Sequence, residues 1–154
     1  MKTIRVGIIS FGYMGKMHAM CYDNLKYYYN SDIDVQLYAV VTSKTAEQLP
    51  IKFQKIYGTV EELLADEKVD VVDICSPNYM HRDILVKAVK SNKHIYCEKP
   101  LARDLIEADE VLAAMKESSY QGVSRVVFEY RFVPAILRAK QLIQEGKLGK
   151  IINF

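Results

Sequence analysis

Along almost its whole length the chain repeats one alternation, a short run rich in β-branched residues followed by a longer amphipathic stretch. No other feature restricts the fold as strongly. Strands separated by helices pair in parallel, because each helix carries the chain back to the starting edge before the next strand begins. The strand-like runs are residues 4–10, 35–41, 55–57, 69–75, 93–96 and 123–130. The run 69–75 is close to continuously apolar, as expected of a strand covered on both faces. Residues 13–29, 44–49, 59–65, 78–91, 104–117 and 134–145 read as helices. Thr59 with Glu62 spells a capping box, Asp104 with Glu107 opens another helix, Asn78 can cap a third, and Gly146 stops the last. The expected fold class is α/β, a doubly wound parallel sheet wrapped by helices. Right-handed crossovers put all strand C-terminal ends on one edge of such a sheet, where ligands bind.

Composition narrows the function. The chain has 154 residues, 50% hydrophobic and 26% charged, with net charge +2. Its basic residues are scattered, which argues against nucleic acid or a membrane surface as partner. Its apolar runs are too short to span a bilayer. Met1-Lys2-Thr3-Ile4-Arg5 leads straight into a strand pattern without the apolar stretch of a signal peptide. Cys21, Cys75 and Cys97 fit neither a disulfide framework nor a metal pattern, so a reducing cytoplasm is the expected compartment and no metal is expected. Lys150-Ile151-Ile152-Asn153-Phe154 opens a new strand-like run at the very end, as in the N-terminal part of a longer chain.

Candidate chemistry gathers where strands end. After the first strand comes Ser10-Phe11-Gly12-Tyr13-Met14-Gly15. Gly12 stands where backbone must approach a pyrophosphate and Gly15 where helix must pack on strand. Ser10 replaces the glycine of the tight turn, which a serine can make if its φ stays negative. The helix that follows would aim free N–H groups at phosphate. The same two glycines would also serve an ordinary strand-to-helix turn. The ligand edge of the second strand carries Thr42, Ser43 and Lys44, without the acid that holds a ribose hydroxyl; Asp32 and Asp34 fall at the opposite edge. A lysine and no carboxylate favour NADP over NAD, although Thr42 and Ser43 would equally cap the next helix. Cys75-Ser76-Pro77-Asn78-Tyr79-Met80-His81 follows the fourth strand, and by itself His81 reads as a hydrogen-bonded boundary histidine. Cys97-Glu98-Lys99-Pro100 follows the fifth. Lys99 there can bind an anionic or hydroxylated substrate or move a proton, whereas a plain Glu98–Lys99 surface pair would contribute little.

These segments together resemble the glucose-fructose oxidoreductase, inositol dehydrogenase and rhizopine-catabolism (Gfo/Idh/MocA) family. The resemblance rests on VGIISFGYMGKMH, YGTVEELLADEKVDVVDICSPNYMH, KHIYCEKPLA and FEYRFVPAILRAKQLIQEGKLGKI. It implies a Rossmann NAD(P)-binding domain over residues 1–122, with 123–154 as its last strand and helix and the start of a substrate domain. It implies hydride transfer between NADP or NAD and the alcohol carbon of a sugar, cyclitol or related polyol. By the same resemblance Lys99 contacts substrate and the nicotinamide ribose. Ser76, Pro77 and Asn78 line the cofactor, and His81, Glu98 and Arg131 belong to the same site. The family's acid/base histidine and dimer-forming sheet belong to a further domain, and neither His18 nor His94 matches that histidine. Another reading is a non-catalytic NAD(P)-binding or sensing module, against which the Glu98-Lys99-Pro100 segment speaks.

Overall fold

The structure is a computed structural model that describes residues 2–153. Its order is β1 (Lys2–Ile9), α1 (Tyr13–Tyr28), β2 (Ile33–Val41), β3 (Lys55–Tyr57), α2 (Val60–Ala65), β4 (Val71–Ile74), α3 (His81–Lys90), β5 (His94–Cys97), α4 (Leu105–Glu117), β6 (Ser124–Val126) and α5 (Pro134–Gln144). The strands form one six-stranded sheet in the order β3-β2-β1-β4-β5-β6, and every neighbouring pair is parallel. This is the doubly wound order, whose direction reverses between β1 and β4 and leaves a crevice there.

Period-two alternation sorts side chains onto the two faces. Val6 and Ile8 of β1 join Phe11, Ala19 and Val40 in the core on one face, that of α1. Ile9, Val72, Ile74, Ile95 and Cys97 join Leu63, Ile84, Leu85 and Val111 in the core on the other face. α1 buries Gly15, His18 and Ala19, the i, i+3, i+4 spacing of one helix face.

Local signals shape the helix starts. Thr59 Oγ1 accepts from Glu62 N at 3.3 Å and Glu62 Oε2 accepts from Thr59 N at 3.0 Å, the reciprocal pair of a capping box. Asp104 Oδ1 accepts from Glu107 N at 2.9 Å, but the Glu107 carboxylate turns to Arg103, accepting from its backbone N at 2.9 Å.

Some expected elements differ. Residues 44–49 form only a short 3₁₀ turn, Ala46–Gln48, because Pro50 cannot continue a helix. Thr45 precedes that turn and its N–H donates to Gln48 Oε1 at 3.0 Å, so Thr42 and Ser43 are not its caps. Asn78 caps nothing: it lies inside a 3₁₀ turn, Asn78–Met80, that leads into α3. The sixth strand stops at Val126. β5 ends at Cys97, the partner of Val126; the Cys97 carbonyl still takes the Val127 N–H at 2.8 Å, and beyond it β5 offers no residue for 128–130 to pair with. A third 3₁₀ turn, Glu129–Phe132, follows. α5 carries no buried residue. Among the described residues no helix is long and apolar enough to cross a membrane.

Candidate functional site

The crevice between β1 and β4 opens at the strand C-terminal ends into a cleft of about 400 Å³. Ser10, Phe11 and Gly12 line it from the turn after β1, Thr42, Ser43 and Lys44 from the end of β2, and Ser76 from the end of β4. Gly58, Val60 and Met80 also line it, and the sequence reading missed all three. Met80 comes one residue before the helix that the Ser-Pro-Asn turn feeds, a position the β-α pattern could have flagged.

The turn after β1 is tighter than serine favours. Ser10 has φ +73°, the left-handed region, which corrects the expectation of a negative φ. Its N–H is bound to Val41 O at 3.1 Å, and the Ser10 carbonyl is packed against Gly15, so the turn has no room to relax into a normal serine conformation. A non-glycine residue there costs roughly 1 kcal/mol. Ser10→Gly should therefore raise the melting temperature by about 2–4 °C in a chain of this size, read by thermal denaturation. An unchanged or lower value would show that the hydroxyl stabilises the turn by more than its backbone strain.

Gly12 and Gly15 are glycines for different reasons. A β-carbon on Gly15 would sit 2.4 Å from the Ser10 carbonyl oxygen, while one on Gly12 would meet no atom of the described residues within 4 Å. Gly12 is the N-cap of α1 and provides no side-chain cap, and the first turn contains no acid. Four N–H groups at a helix start need acceptors, and here the side chains supply none. Ser76 Oγ, in a residue 7% exposed, has no hydrogen-bond partner among the described residues. An open cradle over a helix N-terminus, beside a buried orphan hydroxyl, fits a phosphate-bearing ligand.

Other expected residues are placed differently. The Phe11 ring is buried edge-on to Phe53, with centroids 5.2 Å apart, and is core. Tyr13 is exposed and Met14 packs on the α1-side core. Pro77 and Asn78 are exposed beside the cleft. Arg131 lies in the 129–132 turn with its guanidinium 5.8 Å from the Phe128 ring, and is not among the cleft-lining residues. Lys99 is exposed, and its ammonium has no hydrogen bond among the described residues.

His81 is 1% exposed, not a boundary residue. Its Nδ1 is 2.7 Å from Pro100 O and its Nε2 is 2.9 Å from Ser76 O. Both ring nitrogens are thus spent on backbone carbonyls, and the ring ties the turn after β4 to the turn after β5. It supports the candidate site from beneath.

Glu98 is likewise no surface partner of Lys99. It is 5% exposed, with Oε2 accepting from Lys99 N at 3.0 Å and Oε1 lying 3.1 Å from His18 Nε2. Each of its carboxylate oxygens is engaged inside the fold. The other ring nitrogen, Nδ1, lies 2.9 and 3.1 Å from the two oxygens of Asp73. Burial alone would push the His18 imidazole down, but hydrogen bonds and charge from Asp73 and Glu98 outweigh it and hold the group above its ordinary value. Cys75 Sγ donates to Asp73 Oδ1 at 3.5 Å, and burial, then Asp73, pushes this thiol up. Ligand-type atoms of His18, Asp73 and Cys75 lie within 4.8 Å of one another. Both ring nitrogens lie within hydrogen-bond distance of carboxylate oxygens, so these contacts form a hydrogen-bonded cluster. The sequence did carry a signal for it: Asp73 interrupts an apolar strand, and His18 shares the buried face of α1 with Gly15 and Ala19.

Comparison with known proteins agrees with this geometry. The family model described as an oxidoreductase family with an NAD-binding Rossmann fold, Gfo/Idh/MocA, matches residues 4–124. Levoglucosan dehydrogenase of Pseudarthrobacter phenanthrenivorans is 32% identical over 100% of this chain and 40% of its own length. A solved levoglucosan dehydrogenase in complex with NADH superposes with TM-score 0.87 at 30% identity, covering 97% of this chain and 41% of that one. Myo-inositol 2-dehydrogenase of Thermotoga maritima is 30% identical over 96% of the chain and 42% of its own length. An NAD-binding oxidoreductase from Klebsiella pneumoniae superposes with TM-score 0.86 at 36% identity, covering 96% of this chain and 40% of that one. The chain thus spans about 40% of the length of the curated relatives it matches.

Proposed function

Because the chain belongs to the Gfo/Idh/MocA oxidoreductase family, we propose that it forms the dinucleotide-binding part of an NAD(P)-dependent dehydrogenase acting on a sugar, cyclitol or related polyol. The observation that carries this reading is the space over Gly12: no protein atom requires a glycine there, whereas a pyrophosphate on the α1 N-terminus does. Backbone N–H groups of Gly12, Tyr13 and Met14 would hold the pyrophosphate, with Ser76 Oγ donating beside it. A bound nicotinamide supplies hydride exchange with an alcohol carbon. Lys99, an exposed cation with no hydrogen-bond partner among the described residues, would orient a substrate hydroxyl or carry its proton. An acid/base histidine and an oligomer interface belong, on this reading, to a further domain of the whole protein. A reducing cytoplasm suits the three free cysteines.

The cofactor is NADP in preference to NAD. Thr42, Ser43 and Lys44 line the cleft and no carboxylate does. The Lys44 ammonium and two hydroxyls suit a 2′-phosphate, and nothing there repels one. NADPH should raise the melting temperature more than NADH at equal concentration, since the tighter ligand stabilises the native state more. Equal shifts, or a larger one with NADH, would overturn the preference. No shift with either would overturn the site.

A further inference from the structure

We propose that His18 is a positioning residue of the dinucleotide edge: a ring carrying both protons clamps Asp73 of β4 to Glu98 at the end of β5, fixes the turn that presents Lys99, and couples dinucleotide binding to a proton. The inference rests on the cofactor site described above and adds its regulation by pH.

The geometry assigns the protons. Asp73 and Glu98 offer acceptor oxygens at 2.9 and 3.1 Å from the two ring nitrogens. A neutral imidazole donates from one nitrogen only, so it would turn a lone pair toward one of these two buried carboxylate oxygens, whose neighbouring oxygens already take Cys75 Sγ and Lys99 N. Glu98 passes the constraint on, because its second oxygen holds Lys99 N at 3.0 Å. His18 also stands six residues along α1 from Gly12, about 9 Å at 1.5 Å per residue. A pyrophosphate at the helix start and a cation at His18 therefore favour each other, and by linkage each strengthens the other's binding.

Among the described residues, the buried thiol and phenol groups packed about the ring are pushed up, away from the histidine range. Facing the ring are Asp73 and Cys75 from β4 and its end, Tyr96 and Glu98 from β5, and Tyr22 from α1, with Cys97 on the far face of β5 and Cys21 outside. Tyr22, Cys75 and Tyr96 are all pushed up by burial first and Asp73 next, and burial, then Asp73, holds Cys97 at about 12. His18 itself is held above the ordinary histidine value. A raised native value means the protonated clamp is complete below about pH 6.5 and is lost as pH rises through that native value.

The test measures NADH affinity by calorimetry between pH 6.5 and 9, a range in which the phosphodiester charges of NADH do not titrate. Affinity should fall roughly three- to tenfold over that range, and the fall should disappear in His18→Gln. In parallel, imidazole resonances of the unsubstituted chain are titrated by NMR with and without NADH, His94→Gln helping assignment. His18 should titrate above the ordinary histidine value, and higher still with NADH bound. If His18→Gln fails to fold, Glu98→Gln replaces it and should shift the His18 titration downward. Binding that is flat with pH, or an unshifted His18 titration, overturns the clamp while leaving the cofactor site standing. No binding at any pH overturns the site instead.

Discussion

Gly15→Ala is expected to lower the melting temperature by roughly 6–12 °C, a loss of about 3 kcal/mol. Intrinsic propensity predicts the opposite sign, because alanine is better than glycine inside a helix by about 1 kcal/mol. The new methyl decides the outcome: it would sit 2.4 Å from the carbonyl oxygen of Ser10. That carbonyl belongs to a turn anchored on both sides, with Ser10 N bonded to Val41 O at 3.1 Å and Cys75 N bonded to Ile9 O at 3.0 Å. The turn cannot yield, so α1 must lift from the sheet. α1 delivers His18 and Ala19 to the interior, and lifting it loosens the apolar core and the Asp73–Glu98 clamp together. Circular dichroism melts of the two proteins measure the effect. A rise of a few degrees would mean that helix propensity dominates and that α1 rides loosely on the turn.

The sheet and most helices could be read from the sequence because their determinants are local. A Thr59–Glu62 box sits three residues apart, and a buried strand announces itself as an apolar run. What escaped was set by partners far away in sequence. His18 meets Asp73 and Glu98 across 55 and 80 residues, and only the β1-β4-β5 adjacency brings them under one helix. The end of β6 was likewise fixed by the length of its neighbour, not by the apolar residues that continue past Val126. Ser10 escaped for another reason: a positive φ is imposed by the tight strand-to-helix return, and no side-chain pattern announces it. At the site itself the sequence marked the loops, while the side chains divided into those facing the cleft, such as Thr42 and Ser76, and those locking loops from below, such as His81 and Glu98. Burial separates these roles, and burial is a property of the assembled sheet.

Gly12→Val should leave the fold almost intact and abolish dinucleotide binding. Gly12 has φ −79° with an extended ψ, open to valine, and the added side chain meets no protein atom within the reach of a β-carbon. Loss of a favourable N-cap residue costs up to about 1 kcal/mol, a fall of roughly 2–4 °C in the free chain. The unsubstituted chain, with ligand at a hundredfold excess over its dissociation constant, should gain about 2.7 kcal/mol, or roughly 5–10 °C. In the variant that gain should vanish, because the isopropyl group stands where the pyrophosphate must touch the backbone. Melts of both chains with and without NADPH and NADH separate the two effects directly. A variant that keeps the full ligand shift would place the phosphates elsewhere. A variant that unfolds would mean that the fold, and not a ligand, requires the glycine. Set against Gly15→Ala, the comparison isolates function from folding within one turn: one glycine guards space that the protein fills, the other space that it keeps open.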